Sequence, residues 1–414
     1  MTLKKVFSVV GPGVIAGAAD DDPSGITTYS IAGAQLGTSL LWTALLTWPL
    51  MAAVQVMCAR IGMVTGQGLS AALRKKFPRW LIIAASFALF AANAINIGAD
   101  LAGMADAGKM LTGINSHWSI IGFGIVIGWA TIRFRYQQIS FVLKWLCLVL
   151  FAYVITAFIV VTDWRSLIHD TVIPRMPKGH DAWSMLVAIL GTTISPYLFY
   201  WQASEEVEEE KSAGLKKVSQ RKGATRHELL VRRLDVGVGT FFSNLIMFFV
   251  IVTTAVTLHQ HGITSIETSR QAAEALKPLA GAYAYAFYTL GIIGVGFLAI
   301  PVLSGSAAYA FAECFGWKQG LDEKFSRARF FYWTVILSTA VGVLLDFSRI
   351  NPIKALYWTA VINGLLAPVL LAGIALVASD RSVMAGQPSS RLSRFTVWTT
   401  AILMTAAAVG MFVF

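Results

Sequence analysis

The sequence predicts an all-α polytopic membrane protein of eleven transmembrane helices, read as a single membrane domain over 1–414. Composition is the first observation behind this. Of 414 residues, 56% are hydrophobic and only 13% charged, with a mean hydropathy of +0.65, whereas a soluble domain carries about 25% charged residues. The second is length: apolar runs of the roughly 20 residues that a spanning helix needs recur eleven times. The third is that two of these runs are broken at mid-span, at equivalent places in two five-helix repeats, 6–162 and 182–379, with one extra helix at 394–414. A disordered chain is excluded by the same numbers, because disorder needs low hydrophobicity.

Taken in order, the runs are 6–35, 39–63, 80–110, 116–134, 140–162, 182–206, 235–258, 281–314, 329–346, 353–379 and 394–414. The first follows Lys4 and Lys5 and continues past any plausible cleavage point, so a removable signal peptide is not expected. Trp42, Trp80, Trp164 and Trp183 fall near run ends, where aromatic side chains sit at membrane interfaces. Gly291 to Gly296 and Ser304-Gly305-Ser306 read as close helix packing in the eighth run. Cys58, Cys147 and Cys314 all lie in apolar stretches, which leaves no disulfide framework and no cysteine metal cage to expect. A membrane hydrolase would need a motif such as His-Glu-x-x-His, which is absent from the sequence.

The net charge of +11 has a location. With the N-terminus inside, the inner connections hold 25 of the 33 Lys and Arg residues. The positive-inside rule then predicts a cytoplasmic N-terminus and an outside C-terminus. This accounts for the basic balance without nucleic acid as a partner. Lys216, Lys217, Arg221 and Lys222 are read as topology determinants, and no obligate protein partner is evident.

The two breaks carry the functional reading. The first run contains Gly11-Pro12-Gly13 and then Asp20-Asp21-Asp22-Pro23-Ser24-Gly25; the sixth contains Leu190-Gly191-Thr192-Thr193-Ile194-Ser195-Pro196-Tyr197. Proline removes a backbone donor and clashes with the preceding turn, and unwound backbone at membrane depth survives only in protein or against a wet cavity. Matched interruptions in two inverted halves point to the central site of a secondary transporter. An acidic residue there is costly and usually functional. Asp22, directly before the proline, is the expected cation ligand, with Asp21 possible along the ion path. Backbone carbonyls freed at the breaks supply further oxygen. The cargo is therefore expected to be a cation rather than an anion or a sugar.

These residues resemble the NRAMP family of divalent-metal transporters. Asp22-Pro23-Ser24-Gly25 followed by Ala32-Gly33-Ala34-Gln35-Leu36-Gly37 is similar to that family's opening helix with its Asp-Pro-Gly-Asn motif. Arg60 to Gly66 resembles the end of its second helix, Asp100-Leu101-Ala102 a motif in its third, and Leu190 to Tyr197 its broken sixth helix. The resemblance implies a leucine-transporter-like 5+5 inverted repeat, broken in helices 1 and 6, working by alternating access. It also implies a metal site at Asp22, Gly25, Thr192 and Ser195, with Asn96, Asp100, Tyr197 and Asn363 as ion-path or outer contacts. Gly25 stands where the family has a metal-binding asparagine, Ser195 where it has the methionine, Gly103 where a glutamate and Tyr197 where a histidine of its proton pathway are expected. Loss of the thioether disfavours softer metals, while carboxylate, hydroxyl and carbonyl oxygen suit magnesium. Magnesium keeps several waters and takes one or two carboxylates, and the smaller side chains at 25 and 195 are expected to enlarge the site. The sequence is thus most similar to the prokaryotic NRAMP-related magnesium-transporter branch, whose uptake is not coupled to protons. A proton-coupled manganese or iron importer, or a broad-range divalent transporter, is the alternative. No cofactor is expected; the divalent cation is cargo.

Secondary features are read with less specificity. Asn93 and Asn96 suit either a polar wall or interhelical hydrogen bonds, and Asn363 either an outer-shell contact or packing. Asp106 is expected in the outer vestibule, and Glu313 is expected to pair with a base of an inner loop. Glu205, Glu206, Glu208, Glu209 and Glu210 are read as a solvated loop neutralised by the basic stretch that follows.

Overall fold

A computed structural model of the chain describes residues 17, 19–134, 148–177, 179–345 and 350–414. Lys4, Lys5, Gly11-Pro12-Gly13, Cys147 and the start of the fifth run lie outside them. The helices are α1 (Pro23–Leu36), α2 (Trp42–Thr65), α3 (Arg79–Thr112), α4 (Ser116–Arg133), α5 (Phe151–Val160), α6 (His180–Thr193), α7 (Pro196–Ser212), α8 (Arg226–Thr257), α9 (Ala284–Phe315), α10 (Arg329–Leu345), α11 (Pro352–Ser379) and α12 (Arg391–Val413). Short helices Leu69–Leu73, Trp164–Val172 and Ser269–Glu274 occupy connections. Among the described residues, seven helical stretches are long and apolar enough to cross a membrane, and α5 and α10 are shorter apolar helices.

Both expected breaks are present. In the first span, Gly17, Ala19 and Asp20 are helical, Asp21 and Asp22 are not, and α1 restarts at Pro23. Proline suits that first position because its missing N–H would have been an orphan anyway. In the sixth span α6 stops at Thr193, Ile194 and Ser195 leave the helix, and α7 restarts at Pro196.

These broken spans form the interior. In the sixth, 94% of the apolar window is buried, against 39% in α12, which lies on the periphery. α1 packs on α8, α11 and α6. The contact between the sixth and tenth spans needs a residue without a side chain. A Cβ at Gly191 would lie 2.0 Å from the Ala360 carbonyl oxygen and 2.3 Å from the Gly364 nitrogen. Small residues thus let two backbones meet beside the break, as close helix packing in membranes requires.

The acidic run differs from its sequence reading. α7 continues to Ser212, so these glutamates are helical, and Glu206 is buried. Its Oε2 accepts from Arg232 Nε at 2.8 Å, while Arg232 also bonds Asp235 (2.7 Å) and Glu209. The expected neutralisation by the basic stretch is present, through Arg232, Lys211 for Glu208 and Arg221 for Glu210; what differs is that the run is helical and Glu206 is buried. Glu313 also differs: its carboxylate accepts from Ala71 N, Ser204 Oγ and Gln319 Nε2. The nearby base, Arg74, donates instead to the backbone carbonyls of Glu313 and Cys314.

Candidate metal site

Asp22 holds the N-cap position of α1. Its Oδ1 accepts the Gly25 N–H at 2.7 Å, which places the carboxylate at the exposed amides of a half-helix start. Oδ2 accepts from Asn96 Nδ2 of α3 at 3.0 Å, and that nitrogen lies 3.3 Å from Asp100 Oδ2. A carboxylate offers about four lone-pair sites, so both oxygens of Asp22 keep acceptor capacity. Asn96 Oδ1 and Asp100 Oδ1 are buried without a hydrogen-bond partner.

The second break meets the first at Gly25. A Cβ there would stand 2.9 Å from Thr192 Oγ1 and 3.4 Å from Asp22 Oδ1, so Asp22, Gly25 and Thr192 share one locus. The expected enlargement at Gly25 is therefore not found in this conformation, because the Thr192 hydroxyl occupies the space the lost side chain would fill. Ser195 Oγ donates to the carbonyls of Gly191 (2.9 Å) and Thr192 (2.8 Å), tying off the end of α6 while its oxygen lone pairs stay available. Tyr197 Oη donates to the Ala19 carbonyl at 3.2 Å, joining the start of α7 to the end of the first half-helix. Asn363 is buried in α11 next to Gly364, whose backbone lies against Gly191.

Asp20 and Asp21 turn away from this locus toward α8. The Ser243 hydroxyl lies 2.8 Å from Asp20 Oδ2 and 3.1 Å from Asp21 Oδ1. Ser243 was not singled out from the sequence, where one hydroxyl in Phe241-Phe242-Ser243-Asn244 carries no motif; the polar pair at mid-span is its signal. Asn93 leaves the site: its Nδ2 bonds the Leu303 carbonyl and Ser306 Oγ, both at 2.8 Å, which is helix packing. Asp106 accepts from the N–H of Ser269, the first residue of the short helix Ser269–Glu274, whose N-cap is Thr268.

Asp20, Asp21, Asp22 and Asp100 are all buried, and none of them pairs with Lys or Arg among the described residues. The described residues also hold no cluster of three His, Cys, Asp or Glu side chains poised as a metal cage. The donors that converge are carboxylate, amide, hydroxyl and backbone oxygen. Such a site suits a hard cation that arrives with part of its own water shell.

The geometry defines a polytopic membrane protein whose central site is built from two broken helices. A family model described as natural resistance-associated macrophage protein-like (Nramp) matches residues 13–414, and the chain belongs to that family. It is 25% identical over 417 residues to the divalent metal cation transporter MntH of Klebsiella pneumoniae (strain 342), covering 97% of this chain and 93% of that one. It is 28% identical over 305 residues to the MntH of Yersinia pestis (strain Pestoides F), covering 71% and 70% respectively. The fold matches the crystal structure of the Eremococcus coleocola manganese transporter with a TM-score of 0.73 at 14% identity, over 98% of this chain and 86% of that one. The leucine-transporter-like architecture broken in spans 1 and 6 is thus the observed fold.

Proposed function

We propose that this protein carries divalent metal cations across the membrane by alternating access of two inverted repeats, 6–162 and 182–379, and that partly hydrated magnesium is its preferred cargo, moved without obligatory proton coupling. The observation that carries the reading is the placement of Asp22 at the junction of both helix breaks, oriented by Gly25 and Asn96 and facing Thr192. The relatives named divalent metal cation transporters support the general activity. The all-oxygen donor set supports a hard ion. At Gly103, where the family's glutamate is expected, there is no acidic relay group, and a Cβ would lie 2.8 Å from the end of the Leu356 side chain, an apolar neighbour. The charge bias of the connections supports an N-terminus in the cytoplasm and a C-terminus outside, and the bacterial relatives support placement in a bacterial inner membrane.

The second reading is a proton-coupled manganese or iron importer, favoured by the solved manganese transporter that shares the fold. Uptake into proteoliposomes, with internal pH followed and Asp22→Ala as the inactive control, separates the two. Saturable magnesium entry without acidification is the expected result. Manganese entry with acidification and little magnesium would overturn the magnesium reading and leave the second.

A further inference from the structure

Away from the cargo site, on the face that carries the basic connections, a cavity of about 960 Å³ opens between the flanks of Leu69–Leu73, the end of α7, the connection that follows it, and the connection after α9. That is the upper end of the size range of small-molecule sites, about 300–1,000 Å³. Its walls carry seven basic residues and two acidic ones.

The charge is only partly cancelled. Arg74 and Arg221 shape the walls by donating to carbonyls, Arg74 to Glu313 and Cys314, Arg221 to Gly66, Leu215 and Lys216, and Arg221 Nε also lies 3.9 Å from Glu210 Oε2. Carbonyl acceptors satisfy a guanidinium's protons but leave its charge in place. Lys211 pairs with Glu208 at 2.7 Å and Lys318 lies 3.8 Å from Glu323. The other lining acid, Glu313, is held in the wall by three neutral donors, the Ala71 amide, Ser204 and Gln319, and offsets one of the wall's cations. It sits so close to the loop that a Cβ at Gly68 would fall 1.8 Å from its Oε1. Lys75, Lys216 and Arg327 line the cavity with no carboxylate partner among the described residues. Burial, together with the Lys222 charge, pushes the Lys75 ammonium below its usual range, as a cation crowded by like charge requires.

We infer that this cavity is a binding site for a polyphosphate anion, held by Lys75, Lys216 and Arg327. Point-charge ammonium groups and a guanidinium fork are the side chains that recognise phosphate oxygens. The walls select charge rather than a planar base: the one tryptophan that lines the cavity, Trp317, has its ring against Phe315 and Phe330, each with centroids 5.0 Å away. The bound anion bridges three connections, those between the second and third, sixth and seventh, and eighth and ninth spans. On the transport reading above, it stabilises the conformation in which they meet. A soluble polyphosphate and a phosphate-rich lipid headgroup offer the same chemistry.

The test uses the full chain in phosphatidylcholine nanodiscs, with binding of inorganic tripolyphosphate measured in metal-free buffer, so that it does not depend on any cargo. Wild type binds, and Lys75→Ala, Lys216→Ala and Arg327→Ala each weaken binding about tenfold. Lys354→Ala, at the start of α11 and outside the cavity, leaves it unchanged. In a second arm, cardiolipin replaces part of the phosphatidylcholine. If the headgroup is the natural source, cardiolipin raises the unfolding midpoint of wild type, but not of the triple variant, and competes with tripolyphosphate. Should the triple variant fail to fold, the exposed Lys216→Ala alone carries the comparison. Equal behaviour of wild type and cavity variants in both arms overturns the proposal, whatever the cargo proves to be.

Discussion

Asn96 donates to Asp22 Oδ2 at 3.0 Å. One amide on the third span thereby sets the direction of the carboxylate at the break in the first. Because the same nitrogen lies 3.3 Å from Asp100 Oδ2, Asn96 is also the group that separates two buried carboxylates.

Removing that amide weakens cargo binding without removing the ligand. Groups that orient a metal-binding side chain typically account for 10–100-fold in affinity, so Asn96→Ala is expected to weaken magnesium binding by about that factor, read by calorimetry on purified protein. Asp22→Ala abolishes saturable binding. Asn93→Ala separates site from packing: it breaks the bonds to Leu303 and Ser306, lowers the unfolding midpoint and leaves the affinity near wild type. Equal affinity losses at 93 and 96 would contradict the assignment.

Arg232 is the shared cation of Glu206, Glu209 and Asp235 on the basic face. Deleting one partner of a buried ion pair costs about 3–5 kcal/mol because a buried charge is left uncompensated. Arg232→Met is therefore expected to destabilise the protein by that order in a denaturant or thermal titration. Glu206→Gln in the same background removes the stranded charge and returns part of the loss. A midpoint unchanged by Arg232→Met would mean that water reaches Glu206.

Much of this architecture was legible because the physics that produces it is local. Proline alone does not break a span, since α2, α9 and α11 run on through Pro49, Pro301 and Pro368; Pro23 and Pro196 were legible because they fall among polar and glycine residues at mid-span, where unwound backbone survives only in protein or against a wet cavity. Asp22 stood out because a carboxylate at a mid-span break is costly and usually functional, and Asp100 through the family resemblance of its motif. Ser243 was invisible, since its meaning lies in a contact with residues more than 200 positions away. Glu206 was misread for the same reason: charge composition suggests a solvated run, and only the arrival of Arg232 from the next helix lets it be buried. Gly25 misled differently. A missing side chain suggests space, and the space belongs to Thr192.

On the opposite face, the Thr38 hydroxyl donates to Asp170 Oδ2 at 2.6 Å. This bond, helped by His169 and Arg175, holds the Asp170 carboxyl below its ordinary range. A depressed folded-state pKa gives stability that is present above the unfolded value, about 3.9, and lost as pH falls through the folded one. Thr38→Val is therefore expected to lower the unfolding midpoint at neutral pH, with the gap from wild type closing below about pH 4. A gap that stays constant down to pH 3 would mean that the threonine acts through packing.

The contact between Gly25 and Thr192 gives a test of selectivity that does not rest on losing function. Putting the family's asparagine at 25 adds a Cβ 2.9 Å from Thr192 Oγ1, a separation at which one group must move. Gly25→Asn alone is expected to impair both folding and uptake, because overpacking typically costs about 1–3 kcal/mol. Thr192→Ala should relieve the clash, so the double variant recovers stability that the amide of asparagine alone does not explain. With room made, Ser195→Met on that background restores a soft donor. The preference among cations is then expected to move from magnesium toward manganese and cadmium, read as competition in proteoliposome uptake. If the double variant is no more stable than Gly25→Asn alone, the two breaks do not meet where Asp22 places them. If it is stable but the preference does not move, backbone oxygen rather than the side chains at 25 and 195 sets the selectivity.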